Sequence, residues 1–299
     1  MHAYVVGNVT VDETIAVSEM PLAGASILGT QQSRDIGGKG ANQAVVMARC
    51  GLPTTLVAAV GDDFRAGMIR DRLEAEPVRS ALIDAPGKSS DFSIVFTTPD
   101  GENLNVTTTD AARHVSLENA MFSLAEAGSG DLVALQGNLT DETTRQVLEA
   151  ARARGAITAF NPSPLRPYFS NLWHLIDMAF LNEGEALALT GARYEEAAQR
   201  LLASGVRQVV LTFGGDGALL ATANGIFRIP AIPSTAVDTT GAGDTFMAAA
   251  LASAGVRGTM LDRLAIEHAA KAAAITVSRR GTLSAFPTAG ELADILSTR

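Results

Sequence analysis

Six short apolar runs, at residues 4–6, 55–60, 132–135, 157–160, 178–181 and 209–212, recur along the 299-residue chain. Runs of this length with little polar alternation suit strands buried on both faces of a parallel sheet. Between them, residues 42–50, 140–154, 183–190 and 195–204 carry apolar residues at helical spacing. Parallel neighbours need long crossovers and helices supply them, so the alternation dictates an α/β architecture. Hydrophobic residues make up 47% of the chain and charged residues 18%, which is too apolar for disorder and enough for one large core.

Two segments interrupt the alternation. Residues 11–36 contain Pro21, Gly24 and Gly29, and residues 89–109 read as a hairpin turning at Asp100 and Gly101. Neither holds a convincing helix. They are expected to pair as a small β-sheet lid on a core formed by residues 1–10, 37–88 and 110–299. Within residues 89–109, Phe92, Ile94 and Phe96 alternate with Ser93 and Val95, so the two sets should occupy opposite faces. A small sheet with one apolar face lacks a core of its own and needs a partner surface.

Several function classes are excluded. The net charge of -9 opposes broad contact with nucleic acid or an anionic membrane, so an anionic ligand needs a local site. The single cysteine, Cys50, cannot form an intramolecular disulfide, and the four histidines form no metal-binding pattern. No apolar stretch reaches membrane-spanning length, and residues 1–13 read as a first strand and not a signal peptide. A cytoplasmic protein is expected. Gly87-Lys88-Ser89 resembles the end of a phosphate-binding P-loop, but Leu82 stands where that motif needs its first Gly. The first strand leads into Gly7-Asn8-Val9-Thr10 and not into a dinucleotide fingerprint.

Three glycine-rich turns carry the chemistry. In DTTGAGDTF, Gly241 and Gly243 precede a run of helix formers, a pattern that aims free N–H groups out of a helix start toward an anion. Asp244 at that mouth could take a proton from a hydroxyl held against a phosphate, or it could simply cap the helix. In GGKGANQA, Lys39 and Asn42 could bind a polyhydroxy or anionic ligand, or the turn could merely open a core helix. In TFGGDGALL, Gly214, Gly215 and Gly217 suit a loop over nucleotide phosphates or a tight hairpin.

Together GGKGANQA and DTTGAGDTF resemble the two signatures of the ribokinase-like sugar kinases, the PfkB family. The likeness continues through NPSP at Asn161, LNEGEALALTG at Leu181, LTFGGDGALL at Leu211 and the run from Ala272, and so covers essentially the whole chain. It implies a three-layer α/β/α core with a mostly parallel sheet and a small β-lid. It also implies ATP-dependent phosphorylation of a primary hydroxyl of a small sugar, ribose first, or of another sugar, sugar alcohol or nucleoside. A noncatalytic sugar-binding protein would have no use for a base beside an anion hole. By the resemblance, Asp244 is the base, and Gly241, Ala242 and Gly243, following Thr240, form the anion hole. Asp12, Gly38, Lys39 and Asn42 hold sugar hydroxyls. Asn182, Thr212, Gly214, Gly217 and Gly243 meet ATP, with Glu185 tied indirectly to magnesium. Asp238, Thr240, Thr276, Arg279 and Gly281 match a loop that binds potassium, mostly through backbone carbonyls, and lids pair to make a homodimer. Three positions depart from the ribokinase pattern. Thr10 replaces an Asn and Gly137 a Glu, both on the sugar, while Ala285 replaces a Ser that completes the cation site.

Overall fold

A computed structural model of the protein describes residues 1–100 and 103–298. In chain order its strands are β1 (Ala3–Val6), β2 (Thr10–Val17), β3 (Gly29–Gly37), β4 (Thr54–Val60), β5 (Arg79–Asp84), β6 (Phe92–Thr97), β7 (Asn103–Thr107), β8 (Leu132–Gln136), β9 (Ile157–Asn161), β10 (Met178–Asn182), β11 (Gln208–Thr212), β12 (Ala218–Thr222) and β13 (Gly225–Ile229). The helices are α1 (Lys39–Arg49), α2 (Phe64–Glu74), α3 (Leu117–Ser123), α4 (Asp141–Ala153), α5 (Glu183–Thr190), α6 (Tyr194–Ala203), α7 (Ala242–Arg257), α8 (Arg263–Val277) and α9 (Ala289–Ser297).

All six apolar runs become neighbouring strands of one sheet, in the order β13-β12-β11-β10-β9-β8-β1-β4-β5, parallel from β11 to β5. Successive residues of these strands feed opposite faces. Val5 and Ala134 pack toward a core with Met47, Ile69 and Leu251 from α1, α2 and α7, while Val6 and Leu135 pack toward Ala120, Leu148 and Leu201 from α3, α4 and α6. The result is the expected three-layer α/β/α arrangement.

The antiparallel hairpin β12–β13 and the edge strand β5 do not follow from apolar runs. β5 begins with exposed Arg79 and Ser80, so its sequence lacks the signature of a buried strand. Gly87-Lys88-Ser89 lies in the loop from β5 to β6 and opens no helix, as the failed P-loop pattern requires.

The second sheet has the order β3-β2-β6-β7, with β2 and β6 parallel and both outer pairs antiparallel. The expected hairpin joins β6 to β7, although Gly101 in its turn lies outside the described residues. Asp91 roots this sheet in the core. Its buried carboxylate accepts the N–H groups of Ala111 (3.1 Å) and Ala112 (2.8 Å), and its carbonyl accepts Val11 N–H at 3.1 Å. Burial pushes that carboxyl up to about 6 against the pull of these N–H donors.

The main sheet changes its winding direction at β1, which lies between β4 and β8. Ligands of open α/β sheets bind at the carboxyl ends of the strands beside such a switch point. Gly7, Gln136, Asn161, Asn182 and Thr212 all stand at or just beyond those ends.

Candidate active site

Two glycine-rich turns open helices here, and their free N–H groups fare differently. At the start of α1, Asn8 acts as an external cap, accepting Ala41 N–H on its carbonyl at 3.0 Å and Gly40 N–H on Oδ1 at 3.4 Å. A side chain at Gly40 would strike the Asn8 backbone, with its Cβ 2.7 Å from N and O. That helix end is largely satisfied internally. No side chain caps α7. Ala242 N–H makes a 3.3 Å bond to Thr239 O, and the first bond back into the turn is Thr245 N–H to Gly241 O at 2.9 Å. Of the two, the α7 terminus is the one left open to an external anion.

Gly241 makes this turn possible. Its φ of 74° is left-handed, and a Cβ there would lie 2.5 Å from the Phe286 ring. Phe286 is itself fixed from α1, because Arg49 donates to the carbonyls of Phe286 (3.3 Å) and Pro287 (3.2 Å) while pairing with Glu76 at 2.7 Å. At Gly243 an added Cβ would meet nothing within 4 Å, so the space above the turn is open.

Asp244 is the third residue of α7, and Gly241 occupies the cap position. Its carboxylate turns to α1, where Asn42 Nδ2 donates to Oδ2 at 2.9 Å and Gln43 Nε2 to Oδ1 at 3.0 Å. The capping alternative for Asp244 therefore fails. Asp244 lines a cleft of about 220 Å³ that also gathers the predicted Lys39, Asn182, Glu185, Thr212, Gly241 and Gly243. Asn182 and Glu185 form a capping box at α5: Asn182 Oδ1 accepts Glu185 N–H at 2.8 Å, and Glu185 Oε2 accepts Asn182 N–H at 2.9 Å. Glu185 reaches the cleft with its carboxylate held by the start of its own helix.

Asp12, on β2 of the second sheet, stands outside the lining of this cleft but within electrostatic reach of Asp244. Thr10 donates its hydroxyl to Asp12 Oδ1 at 2.6 Å, and a Cβ at Gly37 would fall 1.9 Å from Oδ2, so the β2–β3 pair closes tightly around this carboxylate. Burial pushes the Asp12 carboxyl up, the Thr10 and Ser93 hydroxyls pull it down, and the negative charge of Asp244 adds to the upward push. Gly38, with φ 88°, caps α1 between Asp12 and Lys39 in sequence, and a Cβ on it would touch the backbone of Val9 and Thr10 at 3.0 Å.

Gly214 and Gly217 stand apart from the lining of this cleft. A Cβ at Gly217 would collide at 2.2 Å with the carbonyl of Ile229 at the end of β13, whereas Gly214 faces open space. The segments carrying Asp238 and Thr240, and the end of α8 with the loop after it that carry Thr276, Arg279 and Gly281, are brought together. Asp238 accepts Thr240 N–H (2.9 Å) and Gly281 N–H (3.2 Å), Val277 O accepts Val237 N–H (2.7 Å), and Thr276 O accepts Arg279 N–H (3.1 Å). Among the described residues no group of three or more His, Cys, Asp or Glu could hold a metal ion. A second, larger cleft of about 910 Å³ separates the lid strands from residues 236–239 and 280–284 and shares Thr239 with the first.

Sequence reasoning assigned no role to Gln43, Phe246 or Phe286. Gln43 stands next to Asn42 in a quoted motif, but neighbours on a helix point about 100° apart. Only the packing of α1 on α7 lets both reach one carboxylate.

The model of the pfkB family carbohydrate kinases matches residues 2–289. The chain is 30% identical to ribokinase of Bacillus subtilis over 293 residues, covering 98% of each chain. It is 28% identical to deoxyribokinase of Salmonella typhi, covering 99% of each. It superposes with a TM-score of 0.84 on a solved structure of Arabidopsis thaliana ribokinase complexed with ribose and ATP, at 28% identity over 100% of this chain and 99% of that one.

The α7 start yields a direct test. Alanine in place of Gly241 must hold a left-handed conformation, at about 1–2 kcal/mol, and must also displace Phe286. Gly241→Ala should lower Tm by about 3 °C or more in a thermal melt. A wild-type Tm would mean that the turn does not depend on Gly241.

Proposed function

The chain belongs to the pfkB family of carbohydrate kinases, and on that premise we propose that it transfers the γ-phosphoryl group of ATP to a primary hydroxyl of a small sugar, with D-ribose the first candidate. The observation that carries this reading is the Asp244 carboxylate held beside the uncapped start of α7. An anion receptor and a proton acceptor at one point suit phosphoryl transfer, in which positioning and charge stabilisation dominate.

The residues fit ATP and magnesium. Open space over Gly243 and Gly214 lets phosphates approach the backbone. Mg²⁺ keeps several waters and needs few protein ligands, so the single Glu185 carboxylate beside Asn182 is adequate for an indirect role. When bound, the nucleotide supplies the transferable phosphoryl group and the metal offsets its charge. The chain does the rest. Asp244 takes the proton as the sugar oxygen forms its bond to phosphorus and the bond to the ADP oxygen breaks. The Gly241–Ala242–Gly243 turn receives the negative charge, while Asp12, Gly38, Lys39 and Asn42 hold the sugar.

Ribose remains a candidate because two contacts differ from the ribokinase pattern. The Thr10 hydroxyl is spent on Asp12. No side chain fits at Gly137, where a Cβ would meet Pro164 O at 2.3 Å. Losing a charged acceptor in a closed pocket weakens a ligand that needs it by about 2 kcal/mol or more. A related sugar, sugar alcohol or nucleoside is the second reading, which these two positions favour.

Asp244→Asn should keep its fold and ATP affinity while kcat falls about 100-fold or more. Comparable activity in the variant would sink the assignment of the base.

A potassium site formed by carbonyls of Asp238, Thr240, Thr276, Arg279 and Gly281 is also proposed. Ala285 adds no side-chain oxygen, so activation should be weaker than in relatives with Ser. Rate against KCl at constant ionic strength should rise, with sodium less effective, and a flat response would refute the site.

The lid reading extends to a cytoplasmic homodimer. Ile15, Ile94, Phe96, Leu104 and Val106 align on the outer face of the lid, with Leu104 47% and Val106 57% exposed. The inner face carries Asp12, Ser93 and Thr107. No helix among the described residues is long and apolar enough to cross a membrane. Light scattering at micromolar concentration should give twice the 31.0 kDa of one chain, and Ile94→Asp should halve it and weaken sugar binding together. A monomeric wild type would refute the dimer.

A further inference from the structure

The amides behind Asp244 run in one direction. Gln43, wholly buried on α1, donates from Nε2 to Asp244 Oδ1 at 3.0 Å and accepts the Nε2–H of Gln136 on its own Oε1 at 2.7 Å. Gln136, wholly buried at the end of β8, has no hydrogen-bond partner for its Oε1. That oxygen lies against Gly7 at the end of β1, where a Cβ would come within 2.1 Å of it.

This polarity is imposed from the Asp244 end. An ionised carboxylate only accepts, so Gln43 must face it with the NH₂ group and present its oxygen to Gln136. Gln136 must then donate in turn, which strands its oxygen at the far end. Reversing either amide would set oxygen against oxygen. The unpaired acceptor, a feature that folded proteins usually avoid, is thus the necessary terminus of the chain.

We propose that Gln136 and Gln43 form a one-way amide relay that fixes the plane of the Asp244 carboxylate and stabilises its negative charge, with Gln43 the positioning residue. The inference rests on the reading of Asp244 as the base. Head-to-tail amide dipoles polarise one another and direct their positive end at the carboxylate. Labour is divided between the two neighbours on α1. Asn42 has a second polar atom, Oδ1, without a partner, which is available to the sugar. Gln43 is covered and keeps its bond to the base whatever occupies the cleft. Each Asp244 oxygen retains a lone pair for the incoming hydroxyl.

The charged groups around Asp244 are Asp12 from the lid, Lys39 from α1 and Glu185 from α5, and changing either glutamine leaves all of them in place. Gln43→Leu should lower kcat about tenfold with little change in sugar KM. It should also move the acid limb of the kcat/KM profile upward by about one pH unit, measured with ATP, magnesium and the best-used sugar. Gln136→Leu, which does not touch Asp244, should shift that limb in the same direction by less and carries the test if Gln43→Leu fails to fold. An activity-free readout is the ¹³Cγ titration of Asp244, assigned by its loss in Asp244→Asn, whose midpoint should rise in both leucine variants. Folded leucine variants with a wild-type acid limb and midpoint, alongside an inactive Asp244→Asn, would overturn the relay alone. An active Asp244→Asn would overturn the base reading and the relay with it.

Discussion

The contact between α1 and α7 at Asp244 is the interaction on which the rest of the site depends. One carboxylate oxygen is held by Asn42 and the other by Gln43, so two helices far apart in sequence share a single anionic group. The same helix pair fixes the anion receptor. Arg49, at the end of α1, holds the backbone that carries Phe286, and Phe286 lies under Gly241 at the start of α7. A buried carboxylate is tolerated only when it is well supplied with donors, and the packing of α1 on α7 provides them. The Asp244 carboxylate and the uncapped start of α7 are therefore set by one piece of packing.

The parallel sheet puts this pair in the right place. Its winding reverses at β1, and the ends of β8, β9, β10 and β11 fan out on one side of that reversal. Asn161, Asn182 and Thr212 line the cleft from those ends. On the other side, the chain runs from β1 straight into lid strand β2, which delivers Asp12 within electrostatic reach of Asp244. The main sheet and the second sheet thus place separate groups around Asp244.

Much of this was legible in the sequence, for identifiable reasons. Strands buried on both faces leave uninterrupted apolar runs, so β1, β4, β8, β9, β10 and β11 were readable. β5, with Arg79 and Ser80 exposed, and the hairpin β12–β13 at the far edge were not. That a helix starts just after Gly241 was readable because two glycines stand there before a run of helix formers. Whether Asp244 caps that helix was undecidable from spacing, since both alternatives place an acid in the first turn. The answer lies in partners about 200 residues away. Gln43 and Phe286 make long-range contacts of this kind, of which a linear motif carries no trace. Gly137 was visible as a departure, but its cause, the backbone of Pro164 filling the side-chain space, required the fold.

The central claim is that this arrangement of base, anion receptor and polar pocket performs phosphoryl transfer to a sugar hydroxyl. A panel of pentoses, hexoses, sugar alcohols and nucleosides, each incubated with ATP and magnesium and followed by ADP release and ³¹P NMR of the product, tests it most directly. The account predicts ADP release with at least one acceptor, matched by a new phosphate monoester on a primary hydroxyl. No ADP release above the acceptor-free rate with any member of the panel would contradict it.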